Sequence, residues 1–96
     1  MKNKNEDFII NKLKEYIELF PTAKVRYEND TLAKVHVIEI NPKELYTNPD
    51  SIEWEFDFYD KFSFSSPSEN IYFITSDALV GIENVTFEIA GINYKN

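Results

Sequence analysis

The sequence predicts an α+β fold in which two helices pack on one mostly antiparallel four-stranded sheet, in the order α-β-β-α-β-β. Three observations support it: a helical apolar stripe early in the chain, segments with two-residue alternation, and turn residues between them. Hydrophobic residues make up 43% of the chain and aromatic residues 16%, enough apolar surface for a core. Because 96 residues suit one domain, residues 1–96 are predicted to form a single domain.

The first helix is predicted between Asn5 and Phe20. Apolar side chains recur three and four residues apart, with no polar residue among them, at Ile9, Ile10, Leu13, Tyr16, Ile17 and Phe20. Asn5 can cap this helix, two acidic residues in its first turn favour the positive end of its dipole, and Pro21 ends it.

Two strands that follow the helix are predicted to pair as a hairpin. Charged residues alternate in the first strand with inward-facing Ala23, Val25 and Tyr27. Residues 28–31 have the Asn and Asp content of a turn, and residues 32–40 form a second strand. One helical turn is predicted over residues 42–46.

Residues 51–64 are compatible with two structures, because their aromatic residues share a side in either one. As a long strand they would give one helix on a five-stranded sheet. We predict a helix, because Asp50 and Ser51 are good N-cap residues and Glu53 suits the helix dipole. A strand of this length would also far exceed the common length of about 5–6 residues.

Two further strands complete the predicted sheet. Residues 71–75 are apolar on both faces, which is typical of a central strand, or of one covered on one side and tightly flanked. Residues 76–83 are predicted to contain a helical turn, and residues 85–90 alternate as a last strand.

Composition excludes several classes of function. The chain has no cysteine, so it forms no disulfide and no thiolate zinc site. It has no apolar run long enough for a membrane span, and we expect a soluble, cytoplasmic protein without a membrane partner. The net charge is −7, and residues 35–96 carry eleven acidic against three basic side chains. Such a surface repels phosphates, so we predict no nucleic-acid partner.

Motifs for catalysis are missing from the sequence. The chain has two glycines, and neither lies in a phosphate-loop pattern. It has a single histidine, His36, so we predict no catalytic residue, metal site or cofactor. The alternative hypothesis is a small enzyme or metal-dependent protein that uses His36 with nearby carboxylates.

Five residues are predicted to bind a partner. Phe8 and Leu19 lie on the charged side of the first helix, and Glu53, Asp57 and Asp60 share one face of the second. They indicate a non-catalytic protein–protein interaction module, such as an immunity-type inhibitor or an accessory subunit. Its partner would have a basic surface, and a homodimer could form through the first helix. A structural protein without a specific partner is the remaining alternative.

Overall fold

The α+β class and the number of helices and strands are confirmed by a computed structural model, which describes residues 4–78 and 81–95. Its elements are helix α1 (Lys4–Leu19), strands β1 (Lys24–Asp30) and β2 (Val35–Asn41), a 3₁₀ helix (Lys43–Thr47), helix α2 (Pro49–Ser65), and strands β3 (Asn70–Ile74) and β4 (Phe87–Ala90). The predicted helical turn after the hairpin is therefore present as the 3₁₀ helix.

The sheet is mixed, so the prediction of a mostly antiparallel sheet is wrong. Its strand order is β3-β2-β1-β4, and β1 pairs antiparallel with both β2 and β4. β3 pairs parallel with β2, because α2 carries the chain back along the sheet before β3 begins. β3 is consequently an edge strand rather than a strand covered on both sides.

Both helices contribute to one core on one face of the sheet. The alternation predicted for Ala23, Val25 and Tyr27 is confirmed, since all three are buried. The helix-facing positions of β2 and β3 are buried as well, at His36, Ile38, Ile40 and Ile71. The predicted stripe of α1 is confirmed, since Ile9, Leu13, Tyr16 and Ile17 are buried while Ile10 and Phe20 pack at the margin of the core. The core stripe of α2 consists of Ser51, Phe58 and Phe62.

Residues 51–64 are helical, as predicted, but the cap of α2 lies earlier in the chain. The Asn48 side chain accepts hydrogen bonds from the backbone N–H groups of Asp50 (2.9 Å) and Ser51 (3.2 Å). Pro49 occupies the first helical position, where its missing N–H is not needed. The two residues predicted as caps therefore lie inside the first turn, and Ser51 is free to face the core.

The hairpin turn also lies later than predicted, at residues 31–34 instead of 28–31. β1 continues to Asp30, whose carboxylate accepts the N–H of Ala33 at 3.1 Å. Lys34 completes the turn with a φ of 58°, in the left-handed region. The side-chain bond made by Asp30 is what moves the turn, since it stabilises a loop that starts at this residue.

β3 and β4 lie at opposite edges of the sheet, with β2 and β1 between them. The backbone N–H of Glu83 donates to the Glu28 carboxylate at 3.0 Å, and Glu28 points away from the helices. This contact places Glu83 on the face opposite the helices. Ser76 and Asp77 form a turn, whereas the rest of the predicted helical turn includes Leu79 and Val80, which lie outside the described residues.

Gly91 provides a test of how closely the end of β4 approaches the loop after α1. A Cβ atom at Gly91 would lie 2.1 Å from the carbonyl oxygen of Pro21, a backbone atom that cannot rotate away. We expect Gly91→Ala to lower the free energy of unfolding by about 1–3 kcal/mol because the two segments must separate. Urea denaturation measures this loss.

The matched control is Gly81→Ala, because a Cβ there has no described atom within 4 Å. It should leave the free energy of unfolding unchanged or raise it slightly. Equal losses in the two variants would contradict the close approach.

Candidate functional site

An apolar groove lies between α2, the 3₁₀ helix and β3. We call it the α2–β3 groove; its volume is about 380 Å³ and its lining residues are Tyr46, Ile52, Glu55, Phe56, Tyr59 and Phe73. The four residues from α2 are spaced three, four and seven apart, so they form one stripe along that helix. Helix α2 thus carries two apolar stripes, one in the core and one open to solvent.

The rings in the α2–β3 groove are unusually exposed for aromatic side chains. Phe56 is 68% exposed and Tyr59 is 48% exposed, while Phe73 lies at the margin of the core and contacts Phe58 (5.9 Å between ring centroids). Contiguous exposed rings on a small domain are typical of binding surfaces, because isolated apolar residues are common but clusters are not.

Glu55 brings a carboxylate into this apolar groove. Ser51 Oγ donates to Glu55 Oε2 at 3.4 Å, and the Tyr16 hydroxyl lies 2.7 Å from Ser51 Oγ. Burial raises the pKa of Glu55 to about 7, and the bond from Ser51 offsets only part of the rise by favouring the charged form. Burial likewise raises the pKa of Tyr16 to about 12, so its hydroxyl remains a donor to Ser51.

Acidic side chains border the groove along α2. Glu53 and Asp60 lie three residues before and four residues after Phe56, so both neighbour its ring on the helix surface. Asp57 is also exposed and pairs with Lys61 at 3.0 Å. We call Glu53, Asp57 and Asp60 the acidic rim; the shared face predicted for them is present, and their role in binding remains a prediction.

The apolar pair expected on α1 is not an exposed pair. Leu19 is 64% exposed, but Phe8 is partly buried, with its ring centroid 5.8 Å from that of Phe58 and 6.5 Å from that of Phe62. The prediction placed Phe8 on the charged side because the apolar stripe of α1 is only the face that packs on the sheet, and Phe8 lies outside that stripe. α2 packs beside α1 and covers Phe8 from a second direction.

His36 is fully buried and bonded at both ring nitrogens. Nδ1 lies 2.6 Å from the Tyr27 hydroxyl, and Nε2 lies 2.5 Å from Glu69 Oε1. Asn5 donates to the other oxygen of Glu69 at 2.6 Å and accepts from Ser66 Oγ at 2.8 Å. This chain of side chains, the His36 network, ties the start of α1 to β1, β2 and the segment after α2.

The His36 network is arranged for stability more than for chemistry. The two contacts favour the tautomer in which Nε2–H donates to Glu69 and Nδ1 accepts the Tyr27 O–H. Burial raises the pKa of Tyr27, so the phenol stays a donor. Among the described residues there is no group of three or more potential ligands that could hold a metal ion. Catalysis or ligation by His36 would first require these bonds to break.

Sequence reasoning missed Glu55 and Glu69 for different reasons. Glu55 looked like one more acid on a charged helix, although its spacing of four from Ser51 was a signal that the two could bond. Glu69 lies 33 residues from His36 in a segment that reads only as a turn, and no local pattern joins the two.

Comparisons with protein-family models, with curated proteins and with solved structures found no match to this chain. Within residues 4–78 and 81–95, no helix combines the length and the apolar character that crossing a bilayer requires. The functional argument therefore rests on the geometry of the α2–β3 groove and the His36 network.

Removing one hydroxyl tests the His36 network. Tyr27→Phe leaves the buried Nδ1 of His36 without its partner, and we expect a loss of about 1–3 kcal/mol in the free energy of unfolding. Tyr72→Phe is the control, because Tyr72 is 54% exposed and water can replace its bonds; it should change stability by less than about 0.5 kcal/mol. Similar losses in urea melts would argue against the network.

The pKa of Glu55 makes a prediction for pH dependence. Between its ordinary value of 4.5 and about 7, the folded protein holds a proton on Glu55 that the unfolded chain has released. The contribution of Glu55 to stability is therefore full below pH 4.5 and is lost as the pH rises through 7. Relative to Glu55→Gln, the wild type should lose about 1–3 kcal/mol between about pH 5 and about pH 8 in denaturant melts.

Glu53→Gln is the control for this pH profile, since Glu53 is exposed on the same helix. Its profile should run parallel to that of the wild type. If Glu55→Gln also runs parallel, Glu55 does not titrate in a buried setting.

Proposed function

We propose that this protein is a non-catalytic protein–protein interaction module whose α2–β3 groove docks an apolar segment of a basic partner. The observation that carries the proposal is a cluster of exposed rings, centred on Phe56 and Tyr59, beside an acidic rim. Interfaces combine these features, since an aromatic centre supplies most of the binding energy and a polar rim surrounds it.

The charge of the chain favours a basic partner over a second copy. The net charge is −7, and two copies would bring like charges together. The acidic rim would attract a basic partner at a distance, an effect that acts mainly on the association rate. The homodimer predicted through α1 loses support because Phe8 packs against α2, which leaves Leu19 as the exposed member of that pair.

A binding function uses more of the residues that line the α2–β3 groove than a catalytic function would. A raised carboxyl pKa in an apolar setting is also typical of a general acid or base. Catalysis would need a second reacting group within hydrogen-bond reach of Glu55, but its carboxylate is bonded by Ser51 and not by either tyrosine of the groove lining. A binding function uses all six, since the four rings and Ile52 contribute apolar area and Glu55 contributes a charge.

The test is a matched pair of substitutions on α2. Phe56→Ser removes a ring from the groove, whereas Phe64→Ser removes an even more exposed ring (92%) from outside it. Peptides selected from a random display library on the wild-type protein serve as probes, with dissociation constants measured by fluorescence polarisation. Phe56→Ser should weaken binding at least about tenfold, and Phe64→Ser by less than about twofold.

Melting temperatures of both variants should stay near that of the wild type, because neither ring is buried. A library that yields no binder, or binders that tolerate Phe56→Ser, would contradict a docking role for the groove. Phe64 lies four residues after Asp60 on α2, so an equal effect of Phe64→Ser would place the interface on the side of the acidic rim and contradict docking in the groove.

A further inference from the structure

We propose that the partner segment binds as an additional β-strand on the open edge of β3, with a lysine or arginine side chain directed at Glu55. This inference rests on the proposed function and specifies the conformation and chemistry of the segment. It depends on three features of the edge: free backbone groups, an unprotected sequence and a carboxylate in the adjoining groove.

The backbone of β3 offers hydrogen-bonding groups along its outer side. The backbone N–H of Asn70 donates to the carbonyl of Lys34 at 3.1 Å, on the side of β3 that faces β2. This bond identifies the residues of β3 whose backbone groups point towards β2. Backbone N–H and C=O groups of successive residues point to opposite sides of a strand, so those of Ile71 and Phe73 point away from β2. Within residues 4–78 and 81–95, no backbone hydrogen bond is made on that side. Two residues thus offer two donors and two acceptors to an added strand.

The sequence of β3 lacks the features that protect edge strands from pairing. Its five residues, Asn-Ile-Tyr-Phe-Ile, contain no charge and no proline. The strand at the opposite edge, β4, does contain a charged residue, Glu88, which pairs with Arg26 at 3.1 Å. β3 is therefore the edge at which addition of a strand is favoured.

The α2–β3 groove would receive alternate side chains of such a strand. Phe73 belongs both to the edge and to the groove lining, so a strand beside it would direct every second side chain towards Phe56 and Tyr59. In strand addition the backbone bonds supply affinity, and pockets for alternate side chains supply specificity. This arrangement predicts a segment with apolar residues two positions apart.

Glu55 selects a cation at one of these groove-facing positions. Its carboxylate lies among apolar side chains, where charge is disfavoured unless an opposite charge approaches. The flexible stem of lysine or arginine can cross the rings and bring donors to this carboxylate. A second copy of β3 cannot do so, because it has no basic residue. Pairing of two β3 edges is thus disfavoured, and the net charge of −7 disfavours any other segment of a second copy, so we assign the edge to a segment of a different protein.

The probe is a designed heptapeptide, acetyl-Thr-Val-Thr-Lys-Thr-Val-Thr-amide, in which valine and lysine share one face of the strand. One matched peptide replaces lysine with methionine, and another carries N-methyl groups on the amides that would face β3. Binding to the full chain is followed by isothermal titration and by backbone amide NMR, with peptide up to about 1 mM.

We expect the lysine peptide to bind and to protect the amides of Ile71 and Phe73 from hydrogen exchange. Methionine in place of lysine should weaken binding about tenfold, and N-methylation should weaken it at least as much. Glu55→Gln should abolish the preference for lysine, whereas Asp7→Asn, at an exposed acid of α1 outside the groove, should retain it. The preference should also grow between about pH 6 and about pH 8, as Glu55 ionises.

Four results would overturn the inference. Binding that requires Phe56 but tolerates N-methylation, with no protection at Ile71 and Phe73, would reject strand addition while the docking function stands. Strand addition is also rejected, and the docking function stands, if the designed peptides fail to bind while library-selected peptides bind through Phe56. Protection of these amides without peptide, rising with protein concentration, would assign the edge to a second copy. If no peptide from either source binds through Phe56, the docking function fails as well.

Discussion

The parallel pairing of β3 with β2 is the constraint on which the rest of the structure depends. Parallel neighbours cannot be joined by a tight turn, so the chain between them must travel back along the sheet, and α2 makes that return. The return places α2 beside α1 on the same face, where its rings cover Phe8. In the strand order β3 lies at one edge and β4 at the other, and Glu83, which precedes β4, contacts Glu28 on the face opposite the helices.

The second stripe of α2 is hard to explain by folding alone. Ser51, Phe58 and Phe62 already face the core, so exposed rings such as Phe56 add nothing to it. The carboxylate of Glu55 is tolerated in an apolar groove because Ser51 and Tyr16 form a short hydrogen-bonded chain behind it. Departures from folding rules of this kind concentrate at functional sites, which is why the groove carries the functional proposal.

Stability and binding are assigned to different parts of α2. The groove lies beside its first turns, whereas the His36 network lies near its C-terminal end, where Phe62 contacts His36 (5.3 Å between ring centroids). The network satisfies every buried polar atom of His36 and joins four segments of the chain. A rigid support of this kind allows the other end of α2 to present exposed rings without loss of the fold.

The sequence by itself determined the local elements. The stripe of α1, the alternation of β1 and the helical nature of residues 51–64 were all predictable, because each depends on the spacing of residues close together in the chain. Tertiary structure alone decided the parallel pairing, the edge position of β3, the burial of Phe8 and the bond from His36 to Glu69. These features arise where segments far apart in the chain meet. A helical wheel shows that α2 has two stripes, but only its packing against the sheet decides which one remains exposed.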